Sequence, residues 1–148
     1  MNIRIYNCED KNLKNEIKDL SKLTLNTLVH RKKLLNNISI SIKFDDDYLE
    51  KYNAMGLCWW NDKNVNPRKF SIVLSNKLSK KQFKKTLIHE LIHIKQYLLN
   101  ELKDFSSGYV KWKSTVFEDS EDLDVIVNSP WEKEAYRLSE KLYIKMCT

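Results

Sequence analysis

Ile38-Ser39-Ile40-Ser41-Ile42-Lys43-Phe44 alternates apolar and polar residues without interruption. That period of two predicts a half-buried strand. Residues 57–60 and 69–75 predict two further strands. Upstream, Leu13, Ile17, Leu20, Leu23 (or Thr24) and Leu28 recur at helical spacing, which predicts one helix over residues 10–35. Ser79 and Gln82 are spaced as a capping box, with Leu78 and Phe83 placed to staple it. From there a helix is expected to run to about Asn100. Its apolar stripe is Phe83, Leu87, Leu91, Ile94 and Leu98, and Ile88 and Ile92 extend apolar character to the opposite side. Such a helix is buried on both sides, one against the core and the other flooring a cleft. Pro130 followed by Glu132 and Glu134 predicts a last helix, with Trp131, Ala135, Leu138 and Leu142 as its stripe. Between these helices, 109–113 and 115–117 predict a hairpin. Asp45-Asp46-Asp47 reads as a solvated turn. The expected fold is α+β, a small sheet packed on helices, with helix 10–35 covering one sheet face beside the long helix.

The chain has 148 residues, enough for one domain spanning 1–148 with a real core. No segment approaches the ~20 apolar residues of a membrane span, and the first residues lack a signal-peptide apolar region. Cys8, Cys58 and Cys147 are odd in number and far apart, as expected in a reducing compartment. A cytoplasmic protein is the expectation. The net charge is +6, which would suit phosphates. However, 22 of the 26 basic residues are lysine, and arginine is the better bidentate phosphate reader. Nucleic acid is therefore a partner not favoured here, and no residue is assigned to it.

Chemistry concentrates in His89-Glu90-Leu91-Ile92-His93. Two histidines at i and i+4 stand one turn apart on one helix face, about 5–6 Å between their Cβ atoms. Imidazole is a preferred Zn²⁺ ligand, and a third protein ligand would leave a fourth position open for water. Glu90 lies between them, placed to take a proton. Glu132 and Glu134, on the two shoulders of the last helix's stripe, are both candidates for the third ligand. Spacing alone does not choose between them. His30 is expected to be a surface or packing histidine.

An HExxH followed some forty residues later by a helix carrying Glu-x-x-Ala resembles the gluzincin metallopeptidases, in particular the compact ImmA/IrrE-like peptidases and the small phage-type or SprT-like metallopeptidases. Their ligand glutamate is followed by Ala at +3, a large apolar residue at +6, a small one at +7 and Leu at +10. Counted from Glu132, these are Ala135, Leu138, Ser139 and Leu142. The resemblance thus selects Glu132 over Glu134. Gly56-Leu57-Cys58-Trp59, residues 67–74, Gln96, residues 110–113 and Pro130-Trp131-Glu132 extend the likeness over roughly residues 38–146. The usual Asp or Asn at +4 is replaced by Tyr136.

The resemblance implies a zincin-like fold and a zinc metallopeptidase. His89, His93 and Glu132 would be the ligands and Glu90 the general base, acting on a protein or peptide bound in extended form. Tyr136, Tyr109 and Arg137 are candidates for stabilising the oxyanion. Strand 69–75 is the expected substrate edge. The acidic run 118–124 reads as a solvated loop or, functionally, as a cleft rim preferring basic substrates. Cys58 would be a ligand only in a deformylase-like site, whose pattern the flanking residues do not match. The alternative is a non-catalytic zinc-containing binding or regulatory module, with a DNA-associated regulator as one form of it.

Overall fold

A computed structural model describes residues 1–62, 66–105 and 107–148. The chain order is β1 (Asn2–Tyr6), α1 (Lys11–Leu28), α2 (Lys32–Asn36), β2 (Ser39–Phe44), α3 (Asp46–Glu50), β3 (Gly56–Trp60), β4 (Lys69–Leu74), α4 (Lys80–Leu98), β5 (Leu102–Phe105), β6 (Tyr109–Trp112), β7 (Thr115–Glu118), α5 (Leu123–Val127) and α6 (Pro130–Cys147). The architecture is α+β, small sheets packed on helices, as the hydrophobic pattern predicts.

The larger sheet has the order β1-β2-β4-β3. β1, β2 and β4 run parallel, and β3 returns antiparallel to β4. Alternation sorts its two faces. Ile3, Ile40 and Phe70 lie in one cross-strand row, and Ile5, Ile42, Ile72 and Cys58 in another. These rows meet Ile17 and Leu25 of α1 and Leu87, Leu91, Ile94 and Leu98 of α4 in the main core. Ser39, Ser41 and Lys43 face away from it. The stripe predicted for α4 is thus the face laid on the sheet, with Phe83 at its partly buried start. Ile88 and Ile92 on the other side pack on Ala135 and Leu142 of α6. α4 is therefore gripped from both sides, as its all-round apolar middle demands.

The ends of α4 are fixed by local chemistry. Ser79 Oγ accepts the Gln82 amide, and Gln82 Oε1 accepts the Ser79 amide, each at 3.2 Å. At the other end Asn100 takes a left-handed φ of 58°. Its amide donates to Tyr97 O, and the Glu101 amide donates to Gln96 O at 2.9 Å. This Schellman closure sends the chain into the second sheet. That sheet, β5-β6-β7, is antiparallel. Leu102, Val110 and Trp112 form its small core with Tyr97, Phe117 and Trp131.

Several expectations are corrected. The substrate-edge strand 69–75 is interior: β4 has neighbours on both sides, and β1 and β3 are the edge strands. Helix 10–35 is two helices, broken at Val29–Arg31, and exposed His30 lies in the break rather than in a helix. Of the alternatives Leu23 and Thr24, Thr24 faces inward and Leu23 is exposed. Asp45 is not part of a free turn; it caps α3 by accepting the Tyr48 amide. Trp131 leaves the α6 stripe for the small sheet, where Phe117 meets it edge-on at 5.6 Å. β1 and β5 are additional strands. Among the described residues, no helix is long and apolar enough to cross a membrane.

Candidate metal centre

His89 and His93 project from the same flank of α4, between its sheet-facing and α6-facing sides. The first turn of α6 brings Glu132 to meet them, with Pro130 at its start and Ala135 seated on Ile88 and Ile92. The two Nε2 atoms are 3.2 Å apart. Glu132 Oε2 is 3.1 Å from His89 Nε2, and Oε1 is 3.1 Å from His93 Nε2. One ligand atom from each residue lies within 4.8 Å of the others, so the group can hold a metal ion. Ligands at 2.0–2.1 Å from a tetrahedral Zn²⁺ stand about 3.3 Å from one another. The donor set thus has nearly the spacing such an ion imposes.

Orientation of the imidazoles supports the same fit. His93 Nδ1 is 2.8 Å from Gln96 Oε1. The amide of Gln96 is oriented by its other end, which donates to Trp131 O at 2.9 Å and to Glu134 Oε1 at 3.2 Å. Gln96 must therefore accept from His93 Nδ1–H. In the neutral ring this leaves the Nε2 lone pair aimed at the group, the state a metal requires. His89 Nδ1 is buried without a hydrogen-bond partner among the described residues. The His89 ring instead stacks near Tyr136, with centroids 4.5 Å apart.

Glu134, the other shoulder of α6, points elsewhere. Its carboxylate takes Lys95 Nζ at 3.0 Å, and the same ammonium reaches Glu101 at 2.6 Å. Glu132 is the glutamate that joins the histidines, and Glu134 supports Gln96 behind them. The role of Gln96 was available in the sequence, because His93 and Gln96 are an i, i+3 pair.

The charges are strongly coupled. Burial opposes the Glu132 carboxylate, but hydrogen bonds from both histidines hold it well below the ordinary glutamate range. Burial likewise opposes a charged His93, yet the Glu132 carboxylate outweighs this and lifts its pKa to about 9. The centre attracts positive charge: a proton where no cation sits, a cation where one is supplied. Glu90 is 5% exposed and makes no hydrogen bond among the described residues. Burial raises its pKa, against the pull of His93 and His89. β3 crosses close above it. A Cβ placed on Gly56 would stand 2.7 Å from Thr86 Cγ2 and 3.0 Å from Glu90 Oε1.

Of the three candidates for an oxyanion donor, Tyr136 is beside the centre. Tyr109 stands in β6 on the side opposite Val110 and Trp112, and exposed Arg137 makes no contact with the group among the described residues. Cys58 lies on the helix-facing side of β3 but outside the metal-capable group. Comparison of the chain with protein-family models, with curated proteins and with solved structures gives no match.

Proposed function

We propose that the chain is a zinc-dependent peptidase built on a zincin-like pairing of an HExxH helix with a glutamate-bearing C-terminal helix. The observation that carries this reading is the convergence of His89 Nε2, His93 Nε2 and the Glu132 carboxylate at 3.1–3.2 Å, with an unpaired, buried Glu90 beside them. His89, His93 and Glu132 would hold the ion. When bound, zinc supplies a Lewis acid that polarises a peptide carbonyl and lowers the pKa of water to about 7.

The protein's own residues do the rest. Glu90 takes a proton from the attacking water and passes it to the leaving amine. Gln96 keeps His93 in the tautomer that faces the ion, and the Lys95–Glu134 pair keeps Gln96 in place. Tyr136 is the preferred oxyanion donor, because its ring already flanks His89. An extended peptide adds to a free strand edge. Of the two edge strands, β1 and β3, the one beside the site is β3, where Gly56 stands against Glu90.

Replacing Glu90 with Gln tests the reading. Bound zinc, measured by atomic spectroscopy, should be unchanged. Hydrolysis of a mixed peptide substrate should fall by at least roughly 100-fold, the scale of general-base catalysis. Parent-like hydrolysis by the variant would exclude Glu90 as the base. A protein that takes up no zinc would exclude the whole reading.

A further inference from the structure

A cavity of about 460 Å³ opens between the small sheet, α5 and the first turn of α6. Its size falls within the range of ligand pockets, roughly 300–1,000 Å³. Tyr97, Phe117 and Trp131 give it aromatic walls, and the acidic residues Asp104 and Asp119 line it; Glu118 also borders it, but shares its cross-strand row with Tyr109, on the other face of the sheet. The cavity adjoins the candidate metal centre through Trp131 and Tyr97, which line it. Trp131 precedes Glu132 in the chain, and its carbonyl is held by the same Gln96 that holds His93. Tyr97 follows Gln96, and the carboxylates of Asp104, Glu132 and Glu90 all add to burial in raising its phenol pKa.

The carboxylates are unusual in their setting. Asp104 shares a cross-strand row with Val110 and Phe117, on the apolar face of the sheet. Burial raises its pKa, and neighbouring Asp119 raises it further. Neither Asp104 nor Asp119 has a cationic partner among the described residues, in a chain of net charge +6. The N-terminus of α6 also faces the cavity and contributes roughly half a positive charge. The two carboxylates outweigh it. Aromatic faces beside unpaired carboxylates are complementary to a cation with a flat apolar body. Guanidinium satisfies both, by stacking on the rings and by paired hydrogen bonds to an acid.

We propose that this cavity is the specificity pocket of the cleft and receives a basic side chain of the substrate, arginine in preference to lysine. The proposal rests on the peptidase reading of the adjoining centre.

The experiment separates the two ideas by measuring binding and cleavage independently. Short acetylated alanine peptides, each with one arginine moved through every position, are titrated into the zinc-loaded Glu90→Gln protein. A matched set carries citrulline, which keeps the shape and removes the charge. At one position the arginine peptide should bind roughly tenfold more tightly, the scale of one charge-assisted contact. In a further Asp104→Asn, Asp119→Asn variant the ratio should fall below about threefold, with citrulline binding unchanged. Equal binding of the two sets at every position overturns the pocket. A preference that survives the double substitution overturns its assignment to these carboxylates. If that variant does not fold, the arginine–citrulline comparison in the Glu90→Gln protein decides alone. Cleavage is then read with Glu90 intact. Arginine-selective binding without hydrolysis of any peptide sinks the peptidase reading and leaves a site for a basic group.

Discussion

The four-stranded sheet lays its apolar rows on α1 and α4, whereas the three-stranded sheet sets the few apolar residues Leu102, Val110, Trp112 and Phe117, among those described, against Tyr97 and Trp131. The group able to hold a metal draws on both regions. His89 and His93 stand on the helix clamped into the large core. Glu132 follows Trp131, which belongs to the small one. Few buried contacts mean a low local opening free energy. The imidazoles therefore form the fixed half of the site, and the carboxylate and cavity side form the yielding half.

The sharpest attack on this contrast is the same substitution in each region. Leu87→Ala hollows the main core and should cost near the top of the roughly 2–5 kcal/mol range for such changes, read from urea unfolding. Leu102→Ala should cost near the bottom of that range, because its surroundings can collapse. Equal costs would mean that the small sheet is as firmly built as the large one. Amide hydrogen exchange should likewise protect β4 more than β6.

A smaller effect is expected at the link between the regions. Gln96→Leu removes the bonds to His93 and to Trp131 O together. Zinc affinity, measured against a chromophoric chelator, should drop by roughly 10–100-fold, as for other groups that orient a ligand. An unchanged affinity would show that the two halves come together without it.

The smallest effect is a dependence on pH. His93 is lifted from 6.5 to about 9, so in the metal-free protein its contribution to stability is complete below 6.5 and is lost as pH rises through about 9. Glu132 is depressed, so its contribution is present above 4.5 and is lost on acidification. Stability of the metal-free protein should therefore be greatest between those two limits. Zinc must displace the His93 proton, so its affinity should climb with pH up to about 9 and then level off. A flat profile would show that the imidazole is already neutral.

The legible features were those written locally. The capping box, the two-sided burial of α4 and the i, i+4 histidines each need only a few neighbouring residues. Glu132 and Glu134 were equivalent by position; Lys95, one α4 residue before Gln96, separates them by pairing with Glu134. The break at Val29–Arg31 is hidden because Leu34 and Leu35 continue the apolar content of the preceding helix across two residues of extended backbone, Val29 and Arg31. β1 offers only Ile3 and Ile5 as pattern, and its strand character comes from pairing with β2. Strand order is likewise non-local: β4 precedes the metal helix in the chain yet lies between β2 and β3, which no spacing in the sequence reveals.

One consequence belongs to Gly56. The headroom over Glu90 is set by the hydrogen atom that residue carries in place of a methyl group. Any larger substituent there must lift the outermost strand, turn the Thr86 methyl aside or press the acid sideways. The floor-to-ceiling height of the cleft is thus governed by a position that bears no functional group.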